Sequence, residues 1–194
     1  MTSTSHRSTR ETILDAGVRL FTERGSGVRL EDIADEAGVS RQTLYVHFGS
    51  RAGLLLGLVQ QVDASGMLER LVQQVVHAPS SAETLDAVAH LHAEYSPVAY
   101  PIARLFMSGR HEDDALRVAW DDRMEARRNL YREVVRRLSS DGVLASEWTV
   151  KSAVEVMFAL TSWQLWEQLV VDQNWTKAEY RDRLGRMLRR VLLK

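Results

Sequence analysis

Between Ser40 and Arg51 the chain reads SRQTLYVHFGSR, and its polar side chains are of the types that contact duplex DNA. On a helix, Leu44 and Phe48 share one face at i, i+4, which leaves Arg41, Gln42, Thr43, Tyr45 and His47 on the outer and flanking faces. Arginine can pair bidentately with guanine and glutamine with adenine, while threonine can touch a thymine methyl group or a phosphate. Tyr45 and His47 can donate to phosphate oxygens, which positions a helix without reading sequence. Arg51, opening the following helix, would bring a further cation to the duplex backbone. Any one of these residues suits an ordinary solvated face; the ordered set behind a glycine turn points to DNA binding.

Two short helices are needed to present that face. Leu30, Ile33 and Ala34 fall at i, i+3, i+4 and give the first helix an apolar side. Ala37-Gly38-Val39 breaks it, and Gly38 can take the left-handed conformation such a turn needs without steric penalty. Ser40 is a good first residue for the second helix, because its hydroxyl can accept from an unpaired amide of the first turn. The pattern is that of a helix-turn-helix. A preceding helix, Ser8 to Arg24, would pack Ile13, Leu14, Gly17, Leu20 and Phe21 onto it and end at Gly25-Ser26-Gly27.

These residues carry a family resemblance. Thr12-Ile13-Leu14-Asp15-Ala16, Leu20-Phe21, Gly25, Asp32-Ile33-Ala34, Ala37-Gly38-Val39-Ser40, Thr43-Leu44-Tyr45 and His47-Phe48 resemble the amino-terminal domain of the TetR family of transcriptional regulators. The resemblance covers about the first quarter of the chain. It implies a homodimer whose recognition helices enter successive major grooves of a near-palindromic operator. It also implies a larger carboxy-terminal domain that dimerises and binds a small-molecule effector, altering the separation of the two reading heads. Contacts carry over well to Thr43, Tyr45, His47 and Arg51, and less directly to Arg41 and Gln42, which vary with the operator. Arg29 stands where the family often has threonine: a helix cap is lost and a cation near the DNA backbone is gained. Arg51 replaces the usual lysine and keeps the charge.

Composition narrows the class. The 194 residues are 45% hydrophobic, enough for a real core, and contain no cysteine, which excludes disulfides and thiolate metal sites. Met1 to Arg10 is polar and rich in Ser and Thr, unlike a signal peptide. The most apolar stretch, Leu54 to Val76, is interrupted by Gln60, Gln61, Asp63, Glu69 and Arg70 and is not expected to span a membrane. A cytoplasmic protein is expected. Net charge is only −1, so the distribution matters more than the total. Residues 1–36 carry five arginines against seven carboxylates, whereas residues 37–52 carry Arg41 and Arg51 and no acid. Positive potential is confined to the reading surface, which predicts few phosphate contacts and a moderate salt dependence.

The whole chain is expected to be all-α, with a three-helix helix-turn-helix DNA-binding domain over residues 1–52 and a helical effector-binding and dimerisation domain over 53–194. No run alternates with a period of two, and Pro79, Pro97 and Pro101 sit near expected helix ends. Beyond the reading head the pattern predicts helices over 51–77, 81–95, 98–109, 113–139, 146–172 and 176–193, with turns at Asp141-Gly142 and Asn174. Thr2 to Ser5 forms a polar arm expected to be disordered, with a minor-groove contact through Arg7 and Arg10 as the lesser alternative.

Two carboxy-terminal features bear on function. Val150, Val154, Met157, Phe158, Thr161, Leu165 and Leu169 form one apolar stripe, and Tyr180, Leu184, Met187, Leu188 and Val191 another. Other faces of 153–171 are apolar too (Ala153, Val156, Ala159, Leu160, Trp163, Trp166 and Val170), so this helix needs several partners. The resemblance places a four-helix dimer interface here; the alternative is the central helix of a monomeric core. Secondly, Tyr100, Phe106, Trp120, Met124, Phe158, Trp163 and Trp166 could line a cavity for an apolar or aromatic effector, against the alternative that they are simply core. Catalysis finds no support, and neither cofactor nor metal is expected. His90 and His92 point to different helix faces, and the acids of His111-Glu112-Asp113-Asp114 suit a helix start. These readings converge on a ligand-responsive, DNA-binding transcriptional regulator, a repressor by resemblance, acting as a homodimer and not as an enzyme. The competing reading is a helical-bundle carrier or enzyme with a vestigial reading head.

Overall fold

The computed structural model describes residues 8–194, the side chain of Ser26 aside. The arm Thr2–Ser5 and Arg7 lie outside the described residues. Apart from a single antiparallel bridge between Leu144 and Leu193, the described chain is helices and turns. They are α1 (Thr9–Arg24), α2 (Leu30–Glu36), α3 (Arg41–Phe48), α4 (Arg51–Ala64), α5 (Met67–Val76), α6 (Ser81–Gly109), α7 (Asp114–Ser140), α8 (Val150–Leu160), α9 (Trp163–Trp166) and α10 (Lys177–Leu192). A short 3-10 turn, Gly25–Gly27, follows α1, and a π-helical turn, Glu167–Asp172, follows α9. Among the described residues no helix is long and apolar enough to cross a membrane. The chain divides into two compact units, one running to Ser65 and including Val98–Trp120, the other comprising Gly66–Pro97 and Asp121–Lys194.

The first unit is organised by local signals that agree with one another. Ser8 accepts from the Glu11 amide while the Glu11 carboxylate accepts from the Ser8 amide at 2.8 Å, a reciprocal cap that starts α1. Ile13, Leu14, Leu20 and Phe21 of α1 are buried with Ile33 and Ala34 of α2, Leu44 of α3, and Leu54, Leu55 and Leu58 of α4. Gln61 of α4 donates to Asp15 of α1 at 2.7 Å, and Arg19 of α1 pairs with Glu36 of α2.

Three expected boundaries move. The helix expected over 51–77 is two helices: Ser65 donates to the Val62 carbonyl at 2.6 Å, tightening the end of α4, and Gly66 turns left-handed at φ +67 before α5. The two helices expected over 81–95 and 98–109 are one. Pro97 and Pro101 deprive the carbonyls of Ala93 and Pro97 of their usual donors. Their spacing of four puts both defects on one side of α6, while Ala93, Ser96, Ala99, Tyr100 and Ile102 are all buried. Burial outweighs propensity there. The helix expected over 146–172 is interrupted after Leu160. Thr161 turns its hydroxyl back to the Met157 carbonyl at 2.8 Å, and extended Ser162 caps α9 by accepting from the Leu165 amide at 3.2 Å.

The second unit has a polar centre inside an apolar shell. Leu85, Val88, Val135, Leu138, Ala153, Met157, Leu184 and Leu188 are all but fully buried. Among them lie His92, Tyr131, Thr161 and Tyr180, also buried. Arg127 of α7 is only half-exposed. Its Nη2 donates to the carbonyl oxygens of Phe158, at 3.2 Å, and Thr161, and to the Thr161 hydroxyl at 2.6 Å. Its Nε donates to the Tyr131 hydroxyl at 3.0 Å, which also lies 2.7 Å from His92 Nε2 and 2.7 Å from the Thr161 hydroxyl. A cation at the carboxy-terminal carbonyls of α8 meets the negative end of the helix dipole, which ties α7 to α8. The chain closes on the Leu144–Leu193 bridge, with the Trp148 indole donating to the Val191 carbonyl at 2.6 Å.

Two stability predictions follow from this packing. A Cβ added at Gly53 would lie 2.0 Å from the Phe48 carbonyl oxygen, so Gly53→Ala must disturb the α3–α4 junction. The expected loss is about 3 kcal/mol or more in denaturant unfolding, and a neutral result would contradict this junction. His92 is held well below its ordinary pKa of 6.5 by burial and then by the charge of Arg127. Its contribution is therefore complete above pH 6.5 and is lost as pH falls, because the unfolded chain takes up a proton that the native chain refuses. Stability should fall by about 1.4 kcal/mol per pH unit in that window, and His92→Gln should remove that part of the slope.

Candidate functional site

The reading surface begins at the turn between α2 and α3. The Val39 amide donates to the Ala34 carbonyl at 2.9 Å and Gly38 is left-handed at φ +67, so the chain reverses within three residues. Ser40 is extended, and its hydroxyl accepts from the Thr43 amide at 3.0 Å, as its residue type predicts. Leu44 is completely buried and Phe48 half-buried beneath the guanidinium of Arg10, whose carbon stands 5.2 Å from the ring centre. Gly49, at φ +70, ends α3, and Ser50 caps α4 by accepting from the Gly53 amide at 3.0 Å. Each end of the eight-residue helix is thus fixed by its own cap.

The outward residues divide into bound and unbound groups. Arg41 is 59% exposed but forms an ion pair with Glu31 of α2 at 2.7 Å, with its guanidinium carbon 5.7 Å from the Tyr45 ring centre. Arg29 pairs with Asp32 at 3.2 Å, and its amide donates to the same carboxylate at 2.8 Å. Asp32, reaching back from the first turn of α2, accepts from the Arg29 amide, while no side chain at Arg29 accepts from the first-turn amides as a threonine would. These hydrogen bonds hold the Asp32 carboxyl below the usual carboxylate range. Gln42, His47 and Arg51 are exposed, and Thr43 and Tyr45 are half-buried. The Thr43 hydroxyl lies 2.8 Å from that of Ser40, so it is part of the capping arrangement.

Sequence reasoning passed over Val46. It is 77% exposed, more than any other large apolar residue described. It lies one helical turn after Gln42, on the same side of α3. The available signal was register: Val46 falls between the inward positions Leu44 and Phe48, so an apolar side chain there cannot reach the core.

The seven expected effector contacts do not all fall in one unit. Tyr100, Phe106 and Trp120 are buried in the first, where the Arg110 guanidinium lies 5.2 Å from the Trp120 ring centre. Met124, Phe158 and Trp163 are half-buried and Trp166 buried in the second. Of the seven, only Phe158 lines the groove of about 660 Å³ between α7 and α8, together with Val150, Val154 and the basic side chains Arg128, Arg132, Arg136 and Lys151. His92, Arg127, Tyr131, Thr161 and Tyr180 were not singled out, because a lone polar residue in an apolar stripe gives no sign that its neighbours in space are polar too. The acidic run before α7 serves as a helix start: one Asp113 oxygen accepts from the amides of Ala115 and Leu116 at 2.9 and 3.1 Å.

Comparison with known proteins agrees with this geometry. Residues 13–58 match the family described as bacterial regulatory proteins, tetR family. Over 74 residues the chain is 43% identical to the HTH-type transcriptional regulator AlkX of Mycobacterium tuberculosis, covering 38% of this chain and 32% of that one. Over 97 residues it is 34% identical to the HTH-type transcriptional repressor KstR2 of Rhodococcus jostii, covering 43% of this chain and 47% of that one. The matched stretch thus spans less than half the length of these curated relatives. Likeness in fold extends further. A transcriptional-regulator structure from Saccharomonospora viridis in complex with choline superposes with a TM-score of 0.78 at 20% identity, over 95% of this chain and 97% of that one. The regulator FadR from Bacillus subtilis, in complex with stearoyl-CoA, does so at 0.68 and 19% identity, over 91% and 96%. Residues 13–58, carrying the helix-turn-helix of α2 and α3, are thus similar to the amino-terminal part of bacterial regulatory proteins of the tetR family, and the chain shares the all-helical fold of these solved regulators.

Proposed function

We propose that the protein is a one-component repressor. Two copies bind a near-palindromic operator in the cytoplasm, with one α3 in each of two successive major grooves, and a small molecule held by the carboxy-terminal body releases them. The observation that carries this reading is the exposed side of α3. Arg41, Gln42 and Val46 stand outward on a helix capped at both ends, and neither helix of the motif needs them for its core. Guanidinium, carboxamide and isopropyl groups match guanine, adenine and the thymine methyl group respectively. Thr43, Tyr45, His47, Arg29 and Arg51 form the positioning set, directed at phosphates.

In this reading residues 1–52 form the reading head and 53–194 the effector and dimer body. The partly exposed apolar residues Val156, Ala159, Leu160 and Trp163 support a second copy as the partner of the α8–α9 region, with Val171 beyond them. Met124, Phe158, Trp163 and Trp166 are the proposed effector contacts of the second unit, and Tyr100, Phe106 and Trp120 those of the first. The stearoyl-CoA bound by a regulator of the same fold supports a small molecule with a substantial apolar part as effector.

The deciding experiment is selection of duplexes from a random pool with the purified protein at near-physiological salt. A palindrome bound at roughly nanomolar affinity is expected; recovery of no enriched sequence, with weak and strongly salt-dependent binding only, would sink the reading. On that operator Arg41→Ala should cost about 1–3 kcal/mol and relax preference at one base pair. Uniform weakening on every sequence would show that Arg41 grips phosphate. Arg51→Ala should weaken binding to all duplexes alike and reduce the salt slope by about one, and a sequence-specific loss would contradict its phosphate role.

A further inference from the structure

The groove between α7 and α8 has a wall of cations on one side and an apolar wall on the other. The two helices run antiparallel: Arg127 and Arg128 of α7 lie over the Phe158 ring near the end of α8, and residues 141–149 join the opposite ends. Arg128, Arg132 and Arg136 follow one another at i, i+4, i+8 along α7, and Val150, Val154 and Phe158 do the same along α8. Eight residues of helix extend about 12 Å. The groove is therefore an elongated slot of about 660 Å³, of small-molecule size and amphipathic across its width.

Its charge does not balance. Arg128, Arg132, Arg136 and Lys151 bring four cations to the slot, and Glu155 is the only acid among the residues that line it. Glu125, from outside the lining, pairs with Arg132 at 2.9 Å and with Arg128 at 3.7 Å. Two carboxylates against four cations leave two positive charges unanswered. The surplus lies towards the Val150 end. Arg136 forms no ion pair among the described residues, and Lys151 stands 3.9 Å from Glu155 with its side chain 87% exposed. That end also holds the first turn of α8, where the helix dipole favours an anion.

These features select a class of ligand. A phosphate monoester carries about −1.5 to −2 charge near pH 7, which matches the surplus, and guanidinium groups suit its oxygens. A carboxylate supplies only one charge. The apolar row calls for hydrocarbon beside the phosphate. A ligand cation is opposed by the four cations already present. A stacked base is opposed by the state of Phe158, whose ring centre has Arg127 at 4.4 Å and Arg128 at 4.7 Å.

We propose that the groove binds an alkyl phosphate monoester, with the phosphate at the Arg136 and Lys151 end and the chain along Val150, Val154 and Phe158. Its role as an effector site rests on the reading of the second unit given above; binding itself does not. The full-length protein is titrated calorimetrically with decyl phosphate, decanoate, inorganic phosphate and decyltrimethylammonium, each below its micelle concentration. Sedimentation is followed with and without decyl phosphate. Decyl phosphate is expected to bind about tenfold more tightly than decanoate and about a hundredfold more tightly than inorganic phosphate, and the ammonium not at all. Arg136→Gln and Lys151→Gln should each weaken decyl phosphate about tenfold without lowering the melting temperature, since neither cation anchors the fold. Glu155→Gln should tighten it, by up to about fivefold. Arg186→Gln, which removes an exposed cation of α10 outside the groove, should leave it unchanged. Equal binding of decanoate or of inorganic phosphate, an equal loss from Arg186→Gln, or no binding of decyl phosphate would each overturn the proposal. So would a dimer that both decyl phosphate and Arg136→Gln dissociate, which would make the groove the seat of a second copy. Tight decyl phosphate binding that leaves the selected operator duplex occupied would uphold the site and overturn its effector role instead.

Discussion

Everything at the amino-terminal end depends on how few residues hold α3 in place. The helix has eight residues, of which Leu44 alone is fully buried, with Phe48 half-buried beneath Arg10. Burying one leucine side chain is worth about 1.5–3 kcal/mol, and an isolated helix of two turns is unstable in water. The remainder comes from the ends: Ser40 and Gly49 terminate α3, and Ser50 starts α4 within two residues of its last turn. Because anchoring is concentrated in caps and in a single interior side chain, the rest of the helix surface is released from structural duty and can face DNA.

The charges around that surface are arranged for restraint. Arg41 and Arg29 each have a carboxylate within the same motif, Glu31 and Asp32, so the two guanidinium groups are oriented before any duplex arrives. An exposed pair of this kind adds little stability, commonly less than about 1 kcal/mol. Its consequence is directional. Under the proposed reading, a duplex must compete with a carboxylate for each guanidinium, which tempers the attraction to DNA of arbitrary sequence.

The reading head was almost wholly legible in the sequence because its determinants are local. A serine before a helix, a glycine in a turn and apolar residues at i, i+4 act within a few residues of themselves, and Ser40, Gly38 and Leu44 stand where those rules put them. The rest resisted for two reasons. Local propensity lost to burial at Pro97 and Pro101, where α6 continues through both rings because its neighbours are packed. At Thr161 it was overridden by a hydroxyl whose alternative use, the Met157 carbonyl, is not visible as a pattern. The Arg127 cluster is assembled from α6, α7 and the end of α8, tens of residues apart, so no spacing could announce it. Val46 failed for a different reason: apolar residues are habitually assigned inward, and only the registers of Leu44 and Phe48 argue otherwise.

The exposure of Val46 has a consequence for how such a protein can change. A side chain that is 77% exposed contributes almost nothing to the free energy of folding, and its replacement opens no cavity. The position is thermodynamically silent in the free protein. Under the proposed reading, exchanges there are filtered by the DNA partner alone, so sequence preference can drift or be redesigned in single steps while the scaffold keeps its full margin of stability.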